Sequence, residues 1–174
     1  ISENTKYAYL VLRHSAQTLL APQEYDLKDF IMPVDENARG SFAESVLIFQ
    51  GLVFIFDNQI EAAKKHFQSL LDKTDNPMSQ TLSQLYLLQI ALLERDHEKA
   101  EEYASNRGVK SFLSLKMADT QIMQAWYQFL VKKDMVQTDK AIKIARQNMV
   151  TSRLVRDEKR YYENWLAELE KELS

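Results

Sequence analysis

The 174 residues contain only 3 glycines and 3 prolines, where average usage would supply about 12 and about 9. So few chain-turning residues cannot serve the many tight turns of a β-sandwich or barrel, and the chain is expected to be all-α. With 45% hydrophobic and 27% charged residues, it has the apolar content for a sizeable core, and a chain of this length buries roughly 70% of its unfolded surface. Disorder is therefore not expected. The longest near-apolar run, Val46 to Phe56, is about half the length a membrane-spanning helix needs and holds Gln50 and Gly51. It is read as a buried helix, and no membrane span is expected.

Apolar spacing and end signals divide the chain. A first helix is expected over Glu3–Leu20, with Tyr7, Leu10, Val11, His14 and Thr18 on one stripe and Pro22 closing it. Residues 21–40, holding Pro22, Pro33 and Asp35-Glu36-Asn37, read as an ordered crossover loop in which Tyr25, Leu27, Phe30 and Ile31 form a helical turn. Ser41 and Glu44 have capping-box spacing and open a helix to about Asp57. Asn58 caps a partner helix ending near Asp72, with Ile60, Ala63, Phe67, Leu70 and Leu71 inward. Asn76-Pro77 opens a helix to about Glu94, and Asp96 starts a short partner that Gly108 stops. Beyond one or two turns within Ser111–Met117, a third hairpin is expected from Asp119–Lys133 and a helix capped by Thr138. The last helix, from about Ser152, carries Tyr161, Tyr162, Trp165 and Leu169 on an apolar seam. One domain, 1–174, is expected: helix and crossover 1–40, three hairpins 41–150, and a capping helix 151–174.

Small residues recur on the second helix of each pair. Ala63, Ala100 and Ala141, taken as equivalent, stand 37 and 41 residues apart, in the range of stacked helix pairs. A small residue there lets two helices approach closely. The order Leu47, Gly51, Phe54, Ala63, Phe67 resembles the tetratricopeptide repeat, and Leu87, Ala91 and Ala100 repeat part of it. In the third unit Trp126 stands near the small position, and Met135-Val136-Gln137 read as an insertion between its helices. The resemblance implies a right-handed superhelix of α-α hairpins, closed by the C-terminal helix, whose first helices line a groove for a peptide or partner helix. Groove positions would then include Ile48, Leu52, Ile55, Phe56, Leu85, Gln89, Leu92 and Tyr127. Such apolar positions do not stay open to water. They bind an apolar segment from a partner, a second copy or the chain's own residues 21–40, or else they are internal core. Basic side chains that clamp a terminal carboxylate in chaperone-binding members of the family are missing from these positions.

Catalysis finds little support. His14, His66 and His97 stand in no metal-binding spacing, and three glycines are too few for a phosphate-cradling loop or nucleophile elbow. His66 is read as a surface residue, and no cofactor or metal is expected. With no cysteine there is no disulfide framework, and the compartment stays open between cytoplasm and periplasm, with the cytoplasm expected. The net charge of -3 steers the chain neither to nucleic acid nor to an anionic membrane. From Val131 to Arg160, however, nine basic residues face four acidic ones, an edge suited to an acidic protein partner more than to direct nucleic-acid binding. The chain opens on Ile1 and reads as a fragment, so flanking domains are expected.

The expected function is that of a non-enzymatic protein-interaction scaffold. Ile48, Leu52, Ile55, Phe56, Leu85, Leu92 and Tyr127 would be its apolar contacts, with Lys140, Lys143 and Arg146 as a basic rim. The alternative is the ligand-sensing or oligomerising domain of a larger bacterial transcriptional or signalling regulator; a protein or peptide is the expected partner, a second copy of the chain among the candidates.

Overall fold

A computed structural model describes residues 1–35 and 38–174, and every regular element among them is helical. Glu36 and Asn37 of the crossover lie outside the described residues. The α-helices are, in order, α1 (Glu3–Leu20), α2 (Ser41–Phe56), α3 (Ile60–Lys73), α4 (Pro77–Leu93), α5 (His97–Ala104), α6 (Arg107–Leu113), α7 (Ala118–Tyr127), α8 (Met135–Val150) and α9 (Arg156–Leu173). Two 3-10 turns, Pro22–Glu24 and Leu27–Phe30, lie in the crossover, and a π-helical turn, Gln128–Lys132, extends α7. The chain divides into two compact units, residues 1–83 with 153–158, and residues 84–152 with 159–174.

In the first unit, α1 and the Leu27–Phe30 turn pack on α2, which packs on α3. Tyr7, Ala43 and Val46 form a buried cluster joined by Leu10, Val11, Met32, Val34 and Ala38, and the Asp35 N–H donates to the Tyr7 hydroxyl at 3.1 Å. The α2–α3 pair closes on one contact. A Cβ built on Gly51 would stand 2.3 Å from Cζ of Phe67, whose ring is fully buried. Gly51 thus accommodates the Phe67 ring, and Ala63 is separately buried on the same helix. Residues 153–158 are bound to the crossover. The Asp157 carboxylate accepts from the Leu27 N–H (2.8 Å) and the Glu158 N–H (2.9 Å), and Arg156 reaches both carboxylate oxygens of Asp26 at 2.9 Å.

In the second unit, α7 packs along α8. The Trp126 ring stacks on Trp165 at 5.8 Å and 17°, its Nε1–H donates to the Trp165 carbonyl at 3.2 Å, and the Tyr162 hydroxyl donates to Gln89 Oε1 at 3.0 Å. The apolar seam read on the last helix is buried at Tyr162, Trp165 and Leu169 and half-buried at Tyr161, and Leu166, outside that reading, is buried beside them.

Helix starts were legible where a side chain serves the backbone. Asn76 accepts from the Met78 N–H (2.9 Å) and Asp96 from the Lys99 N–H (3.0 Å). Four end signals are corrected. Ser41 is the first residue of α2, after Gly40 at φ +112°, and Glu44 turns inward to accept from the Thr74 hydroxyl (2.8 Å) and the Ser79 hydroxyl. Asn58 adopts the left-handed conformation and caps nothing. Gly108 lies inside α6, whose cap is Asn106. Asp134, not Thr138, caps α8, so Met135-Val136-Gln137 form its first turn and are not an insertion between helices.

That last correction changes the repeat. Asn58, Arg95 and Lys133 are the non-glycine residues of positive φ among the described residues, at 59°, 56° and 56°. They stand 37 and 38 residues apart, just before the starts of α3, α5 and α8. The next N–H closes each turn: Gln59 to the Phe54 carbonyl, Asp96 to Ala91, Asp134 to Gln128, at 2.8, 2.9 and 3.0 Å. The third turn spans one residue more than the others, the residue that the π-helical turn takes up. Ala63, Ala100 and the buried Thr138 each stand five residues after one of these turns, and Ala141 stands eight after the third.

Two substitutions test this packing. Gly51→Ala should lower stability by about 1–3 kcal/mol through overpacking, and Phe67→Leu in the same chain should recover part of that loss, since the two sites are coupled; urea unfolding of the single and double variants measures both. Asp157→Ala should cost about 1–3 kcal/mol because it leaves the buried Leu27 N–H unpaired, read by thermal unfolding.

Candidate functional site

The expected groove residues are interior. Ile48, Leu52, Ile55, Leu85, Leu92 and Tyr127 are all buried, and Phe56 is half-buried. On α2 this burial follows from packing by α1, α3 and the Leu27–Phe30 turn. Of the alternatives left open for these positions, they occupy core, partly covered by the chain's own residues 21–40. Gln89 is fully buried and hydrogen-bonded to Tyr162. Tyr127 directs its hydroxyl to Glu101 at 2.8 Å, and Lys132 joins the same carboxylate at 2.7 Å. Lys132 therefore holds the Glu101 carboxyl below its usual range, with the Tyr127 hydroxyl adding to the effect.

The basic rim is exposed and largely neutralised. Lys143 pairs with Asp139 at 2.7 Å, and Arg146 forks onto Glu170, with Nε 2.6 Å from Oε1. Lys140 is exposed. Of the nine basic residues from Val131 to Arg160, Lys132, Lys143, Arg146 and Arg156 are held by acids, and Glu101, Glu170 and Asp26 come from outside that segment. Linear charge thus overstates the field this edge presents. Arg146 does border an open cleft between α8 and α9, about 510 Å³, floored by Met149 and Leu166 and edged by Lys159 and Glu163.

A smaller hollow of about 160 Å³ lies in the first unit between α2, α3 and the crossover. Val34, Ala38, Leu47 and Leu70 supply its apolar wall, and Arg39, Lys73, Glu44 and His66 its polar groups. It has room for a group of a few atoms and is well below the usual size of a small-molecule pocket. His66 is half-buried, contrary to the surface placement expected for it. Its Nε2 lies 2.6 Å from the Leu47 carbonyl, which can only accept, so Nε2 carries the proton. His14 sits between aromatic rings, 5.0 Å from Phe30 and 4.5 Å from Phe49. Burial pushes both imidazoles below their ordinary value, partly opposed at His66 by the bond to Leu47. Among the described residues, no three histidine or acidic side chains converge on a position that would hold a metal ion.

The least expected feature is α1, which is apolar on two opposite sides. At 100° per residue, Tyr7, Leu10, Val11, His14 and Thr18 fall on one side, packed on the crossover and α2. Thr5, Tyr9, Leu12, Ala16, Leu19 and Leu20 fall within about 100° of arc on the other, and all are exposed. Tyr9 is 63%, Leu12 61%, Leu19 60% and Leu20 84% open to solvent. This second stripe is legible in the sequence as a 4-3-4-3 spacing, and the inward stripe drew the reading away from it.

Comparison of the chain with protein-family models, with curated proteins and with solved structures finds no match. The class that the fold defines is all-α, every regular element among the described residues being helical. Among the described residues no helix is long and apolar enough to cross a membrane.

The buried imidazoles set a pH dependence. The unfolded chain binds protons at the ordinary histidine value near 6.5, and the folded chain binds them at lower pH. Stability is thus full above that value, falls as pH drops toward the folded values, and levels off below them. Thermal unfolding at pH 7.5 and pH 5 should show a smaller loss for His14→Leu than for the parent chain; an identical loss would remove His14 from this account.

Proposed function

We propose that this chain is a non-enzymatic protein-interaction module whose binding surface is the outer face of α1. One observation carries the reading: four large apolar side chains on one helical stripe stay 60–84% open while the side chains expected to line a groove are buried. A contiguous apolar patch of several hundred Å² on a folded domain marks an interaction surface. The inner face of α1 anchors it to α2, so the outer face is presented on a fixed support. The paired helices form, on this reading, a tetratricopeptide-like scaffold that carries the surface, and the interior of the pairs supplies rigidity.

The oligomerising domain of a larger regulator is the second reading. It is favoured by the 4-3-4-3 spacing of Thr5, Tyr9, Leu12, Ala16 and Leu19, which is the seam pattern of helices that pair with helices.

The double variant Leu12→Glu/Leu19→Glu tests the surface without touching the core. It should keep the thermal stability and helical dichroism of the parent, and it should lower either the parent's binding of an apolar dye, if the face is open in solution, or its sedimentation coefficient, if the face is occupied. A variant that matches the parent in both readouts would contradict the reading.

A further inference from the structure

We infer that the outer face of α1 is the seam of a homodimer, with α1 of a second copy lying antiparallel across it. This rests on the reading of that face as the interaction surface and names its occupant.

Area is the first argument. At roughly 200 Å² for a fully open side chain of this size, Tyr9, Leu12, Leu19 and Leu20, at the exposures they show, leave about 550 Å² on each copy. Fully covered, these side chains would take about 1,100 Å² from water in a pair, above the roughly 1,000 Å² that a biological interface should clear and at the weak, concentration-dependent end of such interfaces. The threonine and alanine of the stripe and the adjoining helix surface add to it.

Shape is the second. A two-fold interface must be self-complementary, each residue meeting the counterpart that meets it in return. With the axis at Leu12, antiparallel pairing sets Leu12 against its own copy, the large Tyr9 against the small Ala16, and Thr5 against Leu19 and Leu20. Large faces small on either side of the central Leu12 pair, and the 4-3-4-3 spacing keeps the seam facing its partner along the helix. Parallel pairing would instead set Tyr9 on Tyr9 and Ala16 on Ala16, crowding one level and leaving a gap at the next.

Charge is the third. Lys6 is drawn to Glu3 of its own helix at 2.7 Å. Arg13 turns away to the inner side, its guanidinium 5.9 Å from the Tyr25 ring centroid and 5.4 Å from that of Phe30. No charged side chain occupies the stripe itself, so pairing leaves none stranded in the seam.

The chain has no cysteine, so a single introduced thiol reports one position alone. Sedimentation of the unmodified chain from about 1 μM to about 200 μM should show a dimer that Leu12→Glu reduces to a monomer of unchanged helical dichroism. On oxidation, Leu12→Cys should cross-link to itself, and a mixture of Tyr9→Cys and Ala16→Cys should cross-link to each other. Tyr9→Cys alone should stay monomeric on gels, because two copies of that position lie about 10 Å apart along the axis, beyond disulfide reach. Efficient self-cross-linking of Tyr9→Cys would overturn the antiparallel seam. A parent monomeric throughout would overturn the dimer; the surface reading would then survive only if Leu12→Glu still reduced dye binding, and it would fall with the dimer if it did not.

Discussion

The first unit depends on one bare Cα. Gly51 leaves room for the Phe67 ring to lie on α2, and the ring occupies that room to complete burial. Interiors are packed as closely as crystals, so a site with a would-be Cβ at 2.3 Å does not yield to small shifts of a fully buried ring. With α3 fixed to α2 in this way, Ile48, Leu52 and Ile55 become interior, and α2 keeps a side for α1 and the Leu27–Phe30 turn. Phe42 and Met78 stay exposed singly in this unit, whereas Tyr9, Leu12, Leu19 and Leu20 stay exposed on one stripe of α1, which has more apolar surface than one packing face can cover.

Much of the fold could be read because helix-forming patterns are local. The bounds of α1 agree with the expected Glu3–Leu20, and Asn76 and Asp96 act as caps because each offers its oxygen to N–H groups two or three residues on. The errors have a common origin: capping residue types have other uses. Glu44 has the spacing of a capping box, but inside the fold it meets the hydroxyls of Thr74 and Ser79, which come from far along the chain. Asn58 tolerates the left-handed turn as readily as it caps a helix. Gly108 carries no sign that Asn106 begins a helix two residues earlier. The π-helical turn was illegible for a stronger reason. Its one extra residue sets the second and third left-handed turns 38 rather than 37 residues apart, a change that no residue type signals, and the match of Ala141 to Ala63 rests on its small size alone.

The candidate site was less legible than the fold. Periodicity identifies an apolar side of a helix but not which of two sides the fold will cover, and α1 has both. The expected groove failed as a surface because stripes that face a groove and stripes that face a neighbouring helix have the same spacing. The basic edge lost much of its field because Glu101, Glu170 and Asp26 approach it from other parts of the chain. His66, read as a surface residue, is a half-buried donor because the Leu47 carbonyl and the rings of Phe54 and Phe67 lie against it.

In the proposed account, paired helices hold α1 by one face so that the other can bind. Hydrogen exchange of the full chain, read by mass spectrometry on peptides of α1, α2 and α3 over a range of protein concentrations, addresses that division directly. The account predicts that protection of α1 rises with concentration as its outer face is covered, while α2 and α3, closed internally by Gly51 and Phe67, keep a constant protection. Protection of α1 that does not change with concentration, or that changes equally in all three helices, would contradict it.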